Sequence, residues 1–419
     1  MLPGTHAGAG TVERYLSLGL AMGRHVDGFV DAYYGPGPLA RRIAELPALA
    51  PPALVDEARS LLAAIDAGEP LGDPTTRPAD AEADRGVSTA DGSSRRRWLR
   101  AQVLGVLTSA RILAGERVQY ADEVEACYGV RPRRPVEDEI VAAHRALDGV
   151  VPGSGSLSER YVAWREAQAV PPDRLLRAIE SLAEDLRERT DRLFGLPEGE
   201  RVEWVIERDK PWSGFNYYLG RLVSRVAINV DLPVLSTALA HLVAHEAYPG
   251  HHTEHSRKEV GLVQSRHWWE ESIFLVGTPQ CLVAEGLADL GLEVVMGEHP
   301  ERAVAAHFSP LGIPYDADTV AVVSVAAEAL SSVRALAAFR LHEDGADPDT
   351  VVDEVARLAL LPRARARKAV DFLLDPTWRS YISCYVEGLP LCRAYVAGMP
   401  DRFARLVSEQ CLPEDLAAG

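Results

Sequence analysis

The chain of 419 residues carries 61 acidic against 44 basic side chains, a formal charge of −17, with 47% hydrophobic and 25% charged residues. That balance suits a soluble globular protein and argues against a nucleic-acid partner, because phosphate binding needs clustered Lys and Arg. The length admits two or three conventional domains or one large helical body.

The N-terminal residues lack a basic start followed by an apolar stretch, and no apolar run reaches the ~18 residues that span a bilayer, so neither export nor a membrane partner is expected. Helical periodicity then dominates. Apolar side chains recur at three- and four-residue intervals over 11–33, 95–114, 172–194, 235–248, 319–342 and 362–374, predicting a mainly α, multi-helix body. Residues 68–94 are rich in Gly, Pro, Asp, Ser and Thr, and read as a mobile surface loop. The basic runs Arg95-Arg96-Arg97 and 363–368 read as solvated helix faces. Alternation over 201–207 and the β-branched run 222–230 predict a small antiparallel element next to the helix at 235–248. Such an edge can carry an extended peptide. The five cysteines (Cys127, Cys281, Cys384, Cys392, Cys411) are scattered, with no C-x-x-C pair, which suits reduced thiols in a cytoplasm.

Chemistry concentrates in one place. His241, His245, His251, His252 and His255 fall within fifteen residues, and Glu246 directly follows His245. Imidazole is the commonest ligand for divalent transition metals, and a His-Glu pair on a helix is the general-base arrangement of zinc peptidases. The usual H-E-x-x-H spacing would need a histidine where Pro249 stands. Three registers compete. His245 with His251 or His252 requires a bend, since six or seven residues of straight helix rise ~9–10 Å. Pro249-Gly250 supplies the means for one. The inverted motif His251-x-x-Glu254-His255 needs no distortion. The pair His241 and His245 lacks a base of its own. A third ligand is required in any register. Glu285 and Asp289 share one face of an otherwise apolar helical stretch, where an acid is costly unless paired or coordinated. Glu285 is therefore the expected ligand and Asp289 the acceptor that orients a ligating imidazole.

With these residues in view, the chain resembles the DUF885 family of bacterial proteins, whose motif H-E-x-x-P-G-H-H matches His245 to His252 and whose downstream E-G helix matches Glu285-Gly286. The likeness extends to Trp212-Ser-Gly-Phe-Asn, to Ile228-Asn-Val-Asp-Leu-Pro and to Asp31-Ala-Tyr-Tyr-Gly-Pro, and so covers most of the chain. The resemblance implies one helical domain over 1–419, with a metal-site core at 200–300 and a central cleft. It further implies a single zinc ion, Glu246 as base and Glu285 as third ligand, and it favours His251 over His252. Where the family has an Arg-Tyr pair and then Pro-Gly-Gln, this chain has Arg379-Ser-Tyr381 and Tyr385. Tyr385 and Tyr381 are the candidate oxyanion donors and Arg379 the candidate partner of a substrate carboxylate. Trp212, Asn216 and Asn229 are candidates to shape the substrate pocket. The expected function is a zinc-dependent hydrolase, a metallopeptidase acting on a peptide or small amide. The alternatives are an inactive metal-binding scaffold and a helical di-iron carboxylate protein, whose paired Glu-x-x-His motifs are not matched here.

Overall fold

The computed structural model describes residues 9–75, 89–210 and 212–418. The periodic stretch 11–33 is not one helix. Helix α1 (Thr11–Met22) stops at Gly23, Gly28 adopts φ +76°, and the chain enters strand β1 (Val30–Tyr33). β1 pairs antiparallel with a strand some 240 residues later, a partner that local periodicity cannot reveal. Helices α2 (Gly37–Glu45), α3 (Pro51–Asp66) and α4 (Thr89–Leu113) bury Val12, Leu16, Leu61 and Val103 together. Residues 89–94, expected in the loop, are the first turns of α4, while 76–88 of that loop lie outside the described residues. Arg95 corrects another expectation. It is buried, and its guanidinium grips both oxygens of Glu270 at 2.5 and 2.7 Å, an ion pair that ties down the start of α4.

Helices α5 (Tyr120–Tyr128), α6 (Glu137–Val150), α7 (Leu157–Ala167) and α8 (Pro172–Phe194) follow, and Ser156 begins α7 with a capping box to Glu159. The sheet comes next: β2 (Arg201–Glu207), β3 (Gly214–Tyr218) and β4 (Val223–Asn229), in the order β2-β4-β3. β3 and β4 form an antiparallel pair, but β2 runs parallel to β4, so the element is mixed and not purely antiparallel.

Helices α9 (Ser236–Glu246) and α10 (His251–Lys258) lead to β5 (Ile273–Leu275), the partner of β1, and to α11 (Pro279–Met296). Then come α12 (Glu301–Phe308), α13 (Ala317–His342), α14 (Pro348–Leu358), α15 (Arg363–Leu374), α16 (Ile382–Val396), α17 (Pro400–Leu406) and α18 (Pro413–Ala417). The fold is mainly α. Apart from its acids Glu285, Asp289 and Glu293, α11 is largely apolar, and such a helix belongs inside. One side of it packs Cys281, Leu282 and Ala284 with α13 and α16; the other packs Val283, Leu287 and Leu290 with Phe403 and Leu406. Its approach to α16 is close: a Cβ on Gly286 would stand 2.4 Å from the backbone of Gly388. α13 is long and apolar enough to cross a membrane, yet its Val323, Leu330, Val333 and Leu336 are core side chains here.

Candidate metal centre

The histidine run is broken where Pro249-Gly250 implied a break. α9 ends at Glu246, Tyr248-Pro249 is a cis peptide, and α10 begins at His251. Between them the backbone folds back until the Gly250 amide donates to the Ala244 carbonyl at 2.9 Å. A Cβ on Gly250 would lie 1.9 Å from the His245 carbonyl oxygen, so only glycine fits. Gly291 of α11 receives the Pro249 ring, with a would-be Cβ contact of 3.0 Å. The result is a spacing of six residues closed into direct contact: the Nε2 atoms of His245 and His251 are 3.1 Å apart.

Glu285 completes a triangle. Its carboxylate oxygens lie 3.5 Å from His245 Nε2 and 3.6 Å from His251 Nε2. Bonds of ~2.1 Å in a tetrahedral zinc site space the ligand atoms by ~3.4 Å, so the three donors fit that ion. Glu285 Oε2 is buried with no hydrogen-bond partner in the structure, the condition of an acceptor whose partner is a cation. His245 Nδ1 lies 2.8 Å from Asp289 Oδ1. A carboxylate only accepts, so Nδ1 carries the proton and the Nε2 lone pair faces the triangle's centre. Burial lowers the His245 pKa, but the hydrogen bond to Asp289 and the negative charges of Asp289 and Glu285 carry it well above its usual value, so the pocket attracts positive charge. Burial first, and then the charge of His245, lower His251 to about 4, leaving its imidazole neutral.

Glu246 is buried beside Gly214 of β3, where a Cβ would sit 3.2 Å from Glu246 Oε1. Burial pushes its carboxyl up to about 7; Glu285 and Asp289 push the same way and His245 opposes them. A carboxyl near neutrality is what a general base at ordinary pH requires. Tyr381 donates to Glu285 Oε1 at 3.0 Å, and Tyr385 reaches Tyr381 at 3.4 Å. Tyr381 thus steadies the Glu285 carboxylate, and Tyr385 is the hydroxyl placed next in line. Burial first, and the charge of Glu285 second, raise both phenols well above their usual pKa and keep them protonated.

Other expected site residues are engaged elsewhere. His252 is fully buried between Ser224 Oγ and Glu200 Oε2, each 2.8 Å away, so neither ring nitrogen is free to ligate. Arg379 is bound to Glu123 and to the Val118 carbonyl. The Asn229 amide holds the carbonyls of Lys210 and Trp212 and braces the turn before β3. Asn216 donates to the Glu246 carbonyl at 2.6 Å and so holds the end of α9 against β3. Trp212 stacks on Phe215 and lies edge-on to Tyr217 in an aromatic group around Gly214. The inverted motif is absorbed by packing, since Glu254 binds Lys258 and His255 stacks on Tyr218. His241 contacts Asp289 at 3.4 Å but is half exposed, on the outer side of His245.

One site residue carried no role in the sequence reading. Asp31 stands at a register irregularity of β1, between Val30, opposite Leu275, and Ala32, opposite Phe274. Bulges re-aim side chains. Burial, and then the charges of Glu285 and Glu246, push its carboxyl up to about 8, so it shares their pocket. The signal available was its position in the Asp31-Ala-Tyr-Tyr-Gly-Pro segment.

No protein-family model matches the chain, and no curated protein matches it in sequence. Two solved structures are similar to it, the first of them in fold. One is a protein described as a lipoprotein from Colwellia psychrerythraea, 14% identical, covering 87% of this chain and 68% of its own, with a TM-score of 0.52. The other, described as a lipoprotein of unknown function from Shewanella oneidensis, is 13% identical and covers 88% of this chain and 72% of its own, with a TM-score of 0.43.

Proposed function

We propose that this protein is a zinc-dependent hydrolase, and specifically a peptidase, with His245, His251 and Glu285 as ligands. The observation that carries the reading is the grouping of His245 and His251, whose Nε2 atoms are 3.1 Å apart and lie 3.5 and 3.6 Å from the two oxygens of Glu285, set one residue from a buried Glu. The motif likeness to the DUF885 family supports it. When bound, the ion supplies Lewis-acid polarisation of a carbonyl and a water made acidic enough to attack it. The chain's own residues do the rest. Glu246 accepts the proton of the attacking water and passes it to the leaving amine. Tyr385 donates to the oxygen that gains charge. Tyr381 and Asp289 hold Glu285 and His245 in place. Among the described residues the outer edge of β3 has no strand partner in its sheet, and Gly214 of β3 lies beside Glu246, which favours an extended peptide over a compact amide.

Five free, buried thiols favour a reducing compartment and hence the cytoplasm. Fractionation of the source cells tests that placement. The function itself is tested by elemental analysis with turnover of a peptide library. About one zinc per chain is expected. Glu246→Gln should lower turnover by ~10²–10⁴-fold with the metal retained. Absence of stoichiometric metal from the wild type would undo the proposal.

A further inference from the structure

A cavity of about 210 Å³ lies between α4, α5, the turn before β1, the turn before α11 and the segment that leads into α16. Among its walls Phe29, Val276 and Glu123 are buried. Pro376 is exposed and Thr377 and Trp378 are partly so, which puts the mouth at that segment. Close-packed interiors leave few voids larger than a water. This one exceeds the ~150 Å³ that suffices to hold benzene.

The walls are held in place before anything binds. The Trp378 ring stacks on Phe372 at 6.3 Å and stands edge-on to Tyr381 at 5.8 Å, centroid to centroid. Gly28 lets the chain pass close to the indole, since a Cβ there would lie 3.1 Å from Trp378 Cη2. Glu123 supplies the only charge in the lining. Arg379 donates to its Oε2 through Nε at 2.6 Å, and the Val118 carbonyl fixes that guanidinium at 3.0 Å. Glu123 Oε1 takes no hydrogen bond from the described residues. The carboxylate, 1% exposed, is thus anchored at one oxygen and unsatisfied at the other. A buried acceptor in that state is costly. Water is a poor remedy, because it needs two to four polar partners and these walls are mostly carbon. Ser109, which also lines the cavity, already donates to the Gly105 carbonyl at 3.2 Å.

We infer that this cavity is a binding site for a small apolar amine. The apolar body, a ring or a branched chain, lies between Phe29 and Trp378, and the ammonium donates to Glu123 Oε1. An apolar pocket with one convergent polar group is the usual form of a small-molecule site. A charge-assisted bond to the carboxylate is the strongest that the lining offers, and aromatic faces favour a cation beside them. An anionic ligand is refused by the same oxygen. Arg379 then has a role other than the substrate anchor expected of it: it holds Glu123 from behind and aims the free oxygen.

Metal binding and peptide turnover play no part in the test. Phenethylamine, phenethyl alcohol and phenylacetate are titrated by calorimetry into the full chain and into the variants Glu123→Gln and Ile112→Trp, with circular dichroism to confirm folding. The amine should saturate the wild type at millimolar concentration or below, about tenfold tighter than the alcohol, as the worth of a charged over a neutral hydrogen bond requires. Phenylacetate should not bind. Glu123→Gln should bring amine and alcohol to the same affinity. Ile112→Trp fills the cavity from α4 and should abolish binding of both. No saturable binding of the amine, an alcohol bound as tightly as the amine, or undiminished amine affinity in folded Ile112→Trp would overturn the inference. The wild-type ranking of the three probes decides it even where a variant does not fold.

Discussion

Two buried polar clusters flank the break between α9 and α10, and they differ in one respect. On one side His252 bonds Ser224 and Glu200, and Glu200 also takes Tyr248 and Arg187, so each polar atom has a partner. On the other, His245 and His251 face each other, and Glu285 Oε2 is buried without a partner. His251 and His252 are neighbours in sequence, and both are largely enclosed. Residue type and burial do not tell them apart; the inventory of partners does. A satisfied cluster holds the fold, and an incomplete one waits for a ligand.

The harshest test of this contrast is Gly250→Ala, which sets a Cβ on the His245 carbonyl and should disrupt both clusters together. A loss above ~4 kcal/mol is expected in denaturant unfolding, with loss of bound zinc. If the variant retains wild-type stability, the folded-back turn is not what closes the site. His251→Ala should weaken zinc binding by more than ~100-fold, beyond what loss of a group that only orients a ligand costs, and leave stability of the metal-free protein nearly unchanged. His252→Ala should do the reverse: zinc kept, and about 3 kcal/mol of stability lost as Glu200 loses a buried partner. Exchange of these two phenotypes would invert the comparison. Asp289→Asn keeps the shape but weakens the proton acceptor of His245, and should reduce zinc affinity by ~10–100-fold in competition with a chelator.

The smallest effect is an acid one. Burial raises the Glu200 carboxyl, but hydrogen bonds from His252, Tyr248 and Arg187, with the charge of His252, bring it below its usual value of 4.5. A depressed folded pKa means that the unfolded chain binds the proton more readily, so this stability is present above pH ~4.5 and fades as pH falls through the folded value. Glu200→Gln should be less stable at neutral pH yet flatter in stability between pH ~5 and ~3. A parallel acid profile in the variant would mean that Glu200 does not carry it.

Much of the metal triangle was legible because it depends on local chemistry: His245, Glu246, the Pro249-Gly250 break and an acid in the apolar stretch of α11. The choice between His251 and His252 was not, since it depends on Glu200 and Ser224, which reach His252 from the sheet side only after folding. Arg379, Asn216 and Asn229 are bonded to protein atoms that lie well away in sequence, partners that no local pattern shows. The helical character of 95–114, 172–194, 235–248, 319–342 and 362–374 followed from periodicity, whereas β1 and β3 escaped because short strands are defined by their partners. The parallel pairing of β2 with β4 likewise depends on the intervening β3, which periodicity did not mark.

The meeting of Gly286 and Gly388 has a dynamic consequence. Backbone pressed on backbone leaves α11 and α16 no side-chain cushion on which to slide, so Glu285 and the tyrosines of α16 belong to one stiff unit. Any local breathing must hinge around that unit and not within it.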